Sequence, residues 1–175
     1  KNKSNILKNY KNDDPVTLAD LEVNELIIKR INEKYKNIDW EILSEENVKN
    51  LSDSFYPKKD WVWVLDPLDG TKDFIQGTKD YAMHLALNYK KKPFLGVVLI
   101  PERNELWIAD GTKLLREKKE KSLMQINLFK KTTLQDMVVV TSKNHRNQTL
   151  KKLIDKVGFK QVNIMGSIGC KISSI

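Results

Sequence analysis

The sequence predicts a mixed α/β (α+β) fold, and three observations carry that expectation. The first is a buried-strand signature, Trp61-Val62-Trp63-Val64-Leu65, rich in the β-branched and aromatic residues that fill a strand covered on both faces. The second is a succession of apolar runs at short spacing from Tyr81 to Arg116, which reads as strands joined by tight antiparallel connections. The third is a pair of segments with helical spacing of apolar residues, Leu18 to Tyr35 and Gln148 to Val157. With 175 residues, 40% of them hydrophobic, the chain can bury one substantial core.

Taken in order, Lys1 to Tyr10 reads as the tail of a helix, and Lys11 to Pro15 as a turn. Pro15 forces Asp14 toward extended geometry, and Thr17 is placed to cap the helix that follows. Asp20 falls in that helix's first turn, where the dipole favours a carboxylate. Asp39 to Leu43 is a short strand ending at Ser44-Glu45-Glu46, and Val48 to Lys59 is a polar loop leading to the central strand. Thr71 to Ile75 forms a short helix. Strands follow at Tyr81–Tyr89, Phe94–Ile100 and Glu105–Ala109, with turns at Lys90–Pro93 and Pro101–Asn104. Asp110-Gly111 makes a tight turn to a hairpin partner at Lys113–Arg116, and the charge run Arg116–Lys121 is a surface loop. Met137–Val140 and Phe159–Met165 are strands on either side of the second helix, which Gly158 closes. Gly166-Ser167-Ile168-Gly169 is a strand-to-helix turn. A boundary near residue 135 divides an N-terminal α+β unit (1–135) from the start of a second α/β unit (136–175).

The charge of +8 raises the prospect of a basic nucleic-acid-binding module. The lysines are scattered, however, and the four tryptophans sit in or beside strand patterns, where packing explains them. A single cysteine, Cys170, excludes an internal disulfide and fits a reducing, cytoplasmic compartment. No apolar run approaches the roughly 20 residues that span a bilayer. With two histidines, His84 and His145, and one cysteine, a zinc site is disfavoured. His84 lies within an apolar strand and reads as a packed residue, whereas His145, in a loop after a strand, is the better placed for a ligand.

The chemistry concentrates after Leu65. Asp66 and Asp69 stand at the mouth of a buried strand, where two carboxylates are costly unless a cation lies between them. Hard oxygen ligands favour Mg²⁺, and Gly70-Thr71 at a helix start suits a phosphate. The residues thus point to a metal-dependent phosphate-handling site, with Glu45 or Glu46 as a further ligand.

Asp66-Pro67-Leu68-Asp69-Gly70-Thr71-Lys72-Asp73-Phe74 resembles the signature of the inositol monophosphatase family of Mg²⁺-dependent, lithium-sensitive phosphatases. Pro15-Val16-Thr17-Leu18-Ala19-Asp20 and Glu45-Glu46 align with two further family features in the right order. Lys72-Asp73-Phe74, the Thr141–His145 loop and Gly166-Ser167…Lys171 are most similar to the 3′(2′),5′-bisphosphate nucleotidase branch. The resemblance implies a layered α/β/α/β/α sugar-phosphatase fold with two to three Mg²⁺ ions, and it allows a homodimer. It assigns metal binding to Glu45, Asp66, the Leu68 carbonyl and Asp69. Asp20, Thr71 and Glu45 are implied to serve catalysis, Thr71 and Asp20 by orienting and deprotonating the attacking water. Asp69, Gly70 and Thr71 would meet the phosphate, Ser142 and His145 the nucleotide, and Ser167 and Lys171 a second phosphate or the sugar. The implied reaction removes the 3′-phosphate of adenosine 3′,5′-bisphosphate, or of its sulfated form, in sulfur assimilation; inositol monophosphate and sugar bisphosphates are the rival substrates. The family's Trp-Asp-x-Ala motif, whose aspartate completes a metal site, does not occur in these residues. The expectation is therefore a fragment: a truncated second domain, a clipped first helix, and little activity for the 175 residues alone.

Overall fold

The structure is a computed structural model that describes residues 7–11, 14–48, 56–119, 121–127, 133–143 and 147–174. Its centre is a seven-stranded sheet in the order β3-β4-β5-β6-β7-β8-β9. The strands are β3 (Trp40–Ser44), β4 (Trp61–Asp69), β5 (Ala82–Tyr89), β6 (Lys92–Ile100), β7 (Glu105–Ala109), β8 (Leu114–Lys118) and β9 (Met124–Gln125). Only β3 and β4 run parallel; every later pair is antiparallel, as the short spacing between strands requires. Ahead of the sheet lie a hairpin, β1 (Leu7–Lys11) and β2 (Asp14–Thr17), and the helix α1 (Leu18–Lys34). The short helices α2 (Glu45–Val48) and α3 (Thr71–Gln76) follow β3 and β4. The chain then builds a separate parallel pair, β10 (Val138–Ser142) and β11 (Gln161–Met165), joined by α4 (Gln148–Val157), and enters α5 (Ile168–Ile172).

The main sheet is covered on its two faces by different elements. Helix α1 packs on β4, while α5 packs on β5 and β6. Under α5 lies the tightest cluster, Ala82, Ile100 and Cys170, all fully buried, with Val98, Trp107 and Met165 against it. On the α5 side a groove of about 1520 Å³ lined by Val64, Ala86, Ile108 and Val138 leaves part of the sheet open. Val64 is accordingly 38% exposed, so β4 is not buried on both faces along its whole length. All four tryptophans lie in strands: Trp40 meets Trp63 edge-on, Trp61 meets Phe94 edge-on, and the Trp61 ring lies tilted against Tyr89.

Three sequence expectations are corrected. Where it is described, the expected helix tail is a strand: Leu7–Lys11 pairs antiparallel with Asp14–Thr17, and the extended geometry imposed around Pro15 extends into a hairpin, while residues 1–6 lie outside the described residues. The charge run after Leu115 does not begin a loop at Arg116. Strand β8 continues to Lys118 because Arg116 lies 5.2 Å over the Trp107 ring and Lys118 pairs with buried Glu105 at 2.6 Å. The turn at Lys90–Pro93 shrinks to Lys90-Lys91, both with positive φ, and Pro93 is inside β6. Residues 49–55 of the expected Val48–Lys59 loop lie outside the described residues.

Gly70 is a position where the backbone dictates the residue. It caps α3 with φ +93°, and a Cβ there would stand 2.7 Å from the Asp80 carbonyl oxygen. Replacing Gly70 with Ala is expected to destabilise the protein by about 1–3 kcal/mol, the usual range for a side chain forced into such a conformation. Urea unfolding followed by circular dichroism measures it.

Candidate active site

Asp66 and Asp69 are three residues apart, and in a regular strand that spacing sends side chains to opposite faces. Strand β4 avoids this with a bulge. Asp66 pairs with His84 and Asp69 with Ala82, so three steps along β4 match two along β5. The extra residue brings both carboxylates to the face that carries Ala82 and His84. Pro67, within the bulge, has no N–H to lose from the ladder. The Leu68 N–H instead donates to Asp66 Oδ1 at 3.1 Å, the side-chain turn typical of aspartate.

This turn presents the Leu68 carbonyl to Thr71, whose Oγ1 lies 3.0 Å from it and 3.2 Å from Asp20 Oδ1. Asp20 is 2% exposed. Its Oδ2 accepts the Thr17 N–H at 2.8 Å and the Thr17 hydroxyl at 2.5 Å, and the Asp20 N–H closes a capping box on Thr17 Oγ1. The helix-start role of Asp20 is thus filled by Oδ2, while Oδ1 accepts from the Thr71 hydroxyl.

Electrostatically the two central carboxylates diverge. Burial, together with the negative charges of Glu45 and Asp69, pushes Asp66 up to about 6, against weaker opposing contributions from His84 and the Leu68 N–H. Burial also pushes Asp69 upward, but hydrogen bonds from His84, Ser167 and the Gly169 N–H outweigh it and hold Asp69 below its ordinary value. His84 Nε2 lies 3.0 Å from Asp69 Oδ2. His84 is packed and satisfied, as expected of a histidine in an apolar strand, and its partner is Asp69. The signal was its position on β5, paired with Asp66, but without the bulge the sequence does not reveal that Asp69 shares that face.

The remaining expected residues divide. Glu45 begins α2 at the end of β3, close enough to Asp66 to raise it. Gly70 and Thr71 form the start of α3. Ser167, 1% exposed, caps α5 and gives its hydroxyl to Asp69 Oδ2 at 2.5 Å. Lys171 turns its ammonium back to the Gly166 carbonyl at 3.0 Å. Ser142 closes β10 opposite Met165, at the same end of the parallel pair as Ser167. His145 lies outside the described residues. A residue the sequence reading assigned no role, Asp73, is 1% exposed and ties α3 to the end of β10 through Lys143 at 3.1 Å, with Thr78 at 2.5 Å.

Among the described residues, no three His, Cys, Asp or Glu side chains stand grouped as a ready cage for an ion. The donor set around Asp66 nonetheless suits a hard cation. The charges of Glu45 and Asp69 crowd the partly buried Asp66, and such oxygen donors favour a hard cation.

The model of the inositol monophosphatase family matches residues 1–175. Among curated proteins, the chain is 31% identical over 161 residues to the 3′(2′),5′-bisphosphate nucleotidase CysQ of Buchnera aphidicola, covering 90% of this chain and 57% of that protein. It is 30% identical over 158 residues to CysQ of Escherichia coli, covering 87% and 59%. The chain therefore spans less than two thirds of the length of these relatives. The Thermotoga maritima IMPase superposes with a TM-score of 0.71 at 25% identity, over 94% of this chain and 59% of that one. The layered fold implied by the signature is consistent with that superposition.

The raised pKa of Asp66 has a definite sign. Between its ordinary value of 3.8 and about 6 the folded state holds a proton that the unfolded state has released. Stability from this group is complete below 3.8 and is lost as pH rises through 6. Asp66→Asn is expected to raise the melting temperature at pH 7 in metal-free buffer, with the gain vanishing below about pH 4. Calorimetric scans across that range test the sign; a variant less stable than wild type at pH 7 would refute it.

Proposed function

The chain belongs to the inositol monophosphatase family, and on that premise we propose that it forms the catalytic part of a metal-dependent phosphomonoesterase. Its preferred substrate is adenosine 3′,5′-bisphosphate or the sulfated form, from which it removes the 3′-phosphate. The observation that carries this reading is the Thr71 hydroxyl set between the Asp20 carboxylate and the Leu68 carbonyl, beside the raised carboxylate of Asp66. The two CysQ relatives support the choice of substrate. The likeness to the Thermotoga IMPase favours inositol monophosphate as a second reading, with sugar bisphosphates in the same class.

In this proposal Glu45, Asp66, the Leu68 carbonyl and Asp69 hold Mg²⁺, two to three ions in all. The metal supplies acidification of water and stabilisation of the leaving oxygen. The protein's own residues handle protons and position. The Thr71 hydroxyl has one hydrogen and two acceptors, so a lone pair remains to accept a proton from the attacking water as its own moves to Asp20. The backbone at Gly70 and Thr71 receives the phosphate. The nucleotide is assigned to Ser142, His145, Ser167 and Lys171, all from the unit proposed to begin near residue 136. Water attacks directly, with no covalent intermediate. Single-stranded nucleic acid is a poor fit, because the tryptophans that could stack bases are packed in strands.

In the protein that carries these residues, Asp20→Asn and Thr71→Val are each expected to lower kcat by about 10²–10⁴-fold with little change in KM, as loss of general-base assistance does. Phosphate release from adenosine 3′,5′-bisphosphate, inositol 1-phosphate and fructose 1,6-bisphosphate ranks the substrates. Slowest turnover of the adenosine compound would overturn the substrate assignment, and wild-type rates for both variants would overturn the proton relay.

A further inference from the structure

Asp69 has two oxygens with different surroundings. Three donors converge on Oδ2: the His84 imidazole at 3.0 Å, the Ser167 hydroxyl at 2.5 Å and the Gly169 N–H at 3.0 Å. Because the carboxylate can only accept, the His84 Nε2 carries the hydrogen. Among the described residues Oδ1 receives no hydrogen bond. The three donors come from β5 and from the start of α5, so Oδ2 is held from two independent elements. The side chains of His84 and Asp69 are 26% and 15% exposed, leaving little room for either to turn. Gly169 is part of the same arrangement, since a Cβ at this position would stand 2.7 Å from His84 Nε2.

A carboxylate oxygen that already accepts three hydrogen bonds has no lone pair left for a cation. Asp69 can then meet an ion only through Oδ1, as a single-oxygen ligand. Cations differ in how they tolerate this. Ca²⁺ takes six to eight oxygens at flexible angles and readily accepts both oxygens of one carboxylate, whereas Mg²⁺ needs a near-octahedral shell at shorter distances with one oxygen per ligand group. We propose that His84 is a positioning residue which, with Ser167 and Gly169, commits Asp69 Oδ2 to protein donors and so biases the site toward small octahedral cations over Ca²⁺. The inference rests on the reading of Asp69 as a metal ligand.

The experiment compares Mg²⁺ and Ca²⁺ affinities by isothermal titration calorimetry in wild type, His84→Gln and His84→Leu. Gln restores an N–H donor at similar reach, and Leu fills the space without one. His84→Leu is expected to shift the Ca²⁺/Mg²⁺ affinity ratio about tenfold toward Ca²⁺, within the range typical of partners that orient ligands. His84→Gln is expected to stay close to wild type. A purely structural histidine would change melting temperature without moving the ratio, so an unchanged ratio in folded His84→Leu overturns the proposal. Should that variant not fold, Gly169→Ala, whose methyl displaces the imidazole, must produce the same shift or the proposal fails. If wild type binds neither ion, or Asp69→Asn leaves both affinities at their wild-type values, the metal-ligand reading of Asp69 is what fails.

Discussion

One extra residue in β4 governs the geometry of everything around it. Strand alternation would place Asp66 and Asp69 on opposite faces, one toward α1 and the other toward α5. The bulge between them puts both on the α5 side, where Asp66 meets the charge of Glu45 and Asp69 meets His84 and the start of α5. It also sets the Leu68 carbonyl against Thr71, and through Thr71 connects to Asp20 on α1. Elements from opposite faces of the sheet therefore reach a common point at the end of β4. The mixed seven-stranded sheet supplies the strand ends that converge there.

The polarity of the site follows from how differently its carboxylates are supported. Asp20 and Asp69 are each satisfied by hydrogen bonds from capping residues, Thr17 in one case and Ser167 in the other. Among the described residues Asp66 accepts only from the Leu68 N–H, and it is pressed by like charges. The first two are fixed in orientation, while the third carries the electrostatic deficit that a cation would relieve. That division resembles the general arrangement in which strain is concentrated where chemistry occurs and the surroundings are over-determined.

Much of this was legible in the sequence where local rules suffice. The Thr17 cap, helix α1, the Gly158 stop of α4 and the strand at Trp61 all follow from spacing and capping chemistry. The sequence failed where a tertiary contact overrode local pattern. Glu105 and Trp107 draw Lys118 and Arg116 into a strand that their charges alone argue against. His84 looks like a core residue because its neighbours Met83 and Leu85 are apolar, and only the register with β4, bulge included, shows what it faces. Asp73 reads as part of a motif, yet its burial and its pairing with Lys143 depend on a segment seventy positions away.

The contact between Gly169 and His84 means that these two positions are not free to vary separately. With histidine at 84, any side chain at 169 would strike the imidazole and also approach Ala82 and Val98. A shorter residue at 84 would relax part of that restriction, though it would remove a donor from Asp69 in the same step. Shortening residue 84 alone would not open position 169, because a Cβ there would still stand 2.8 Å from the Ala82 Cβ and 2.9 Å from the Val98 Cγ1. A helix outside the main sheet thus constrains which mutational routes into the site are open.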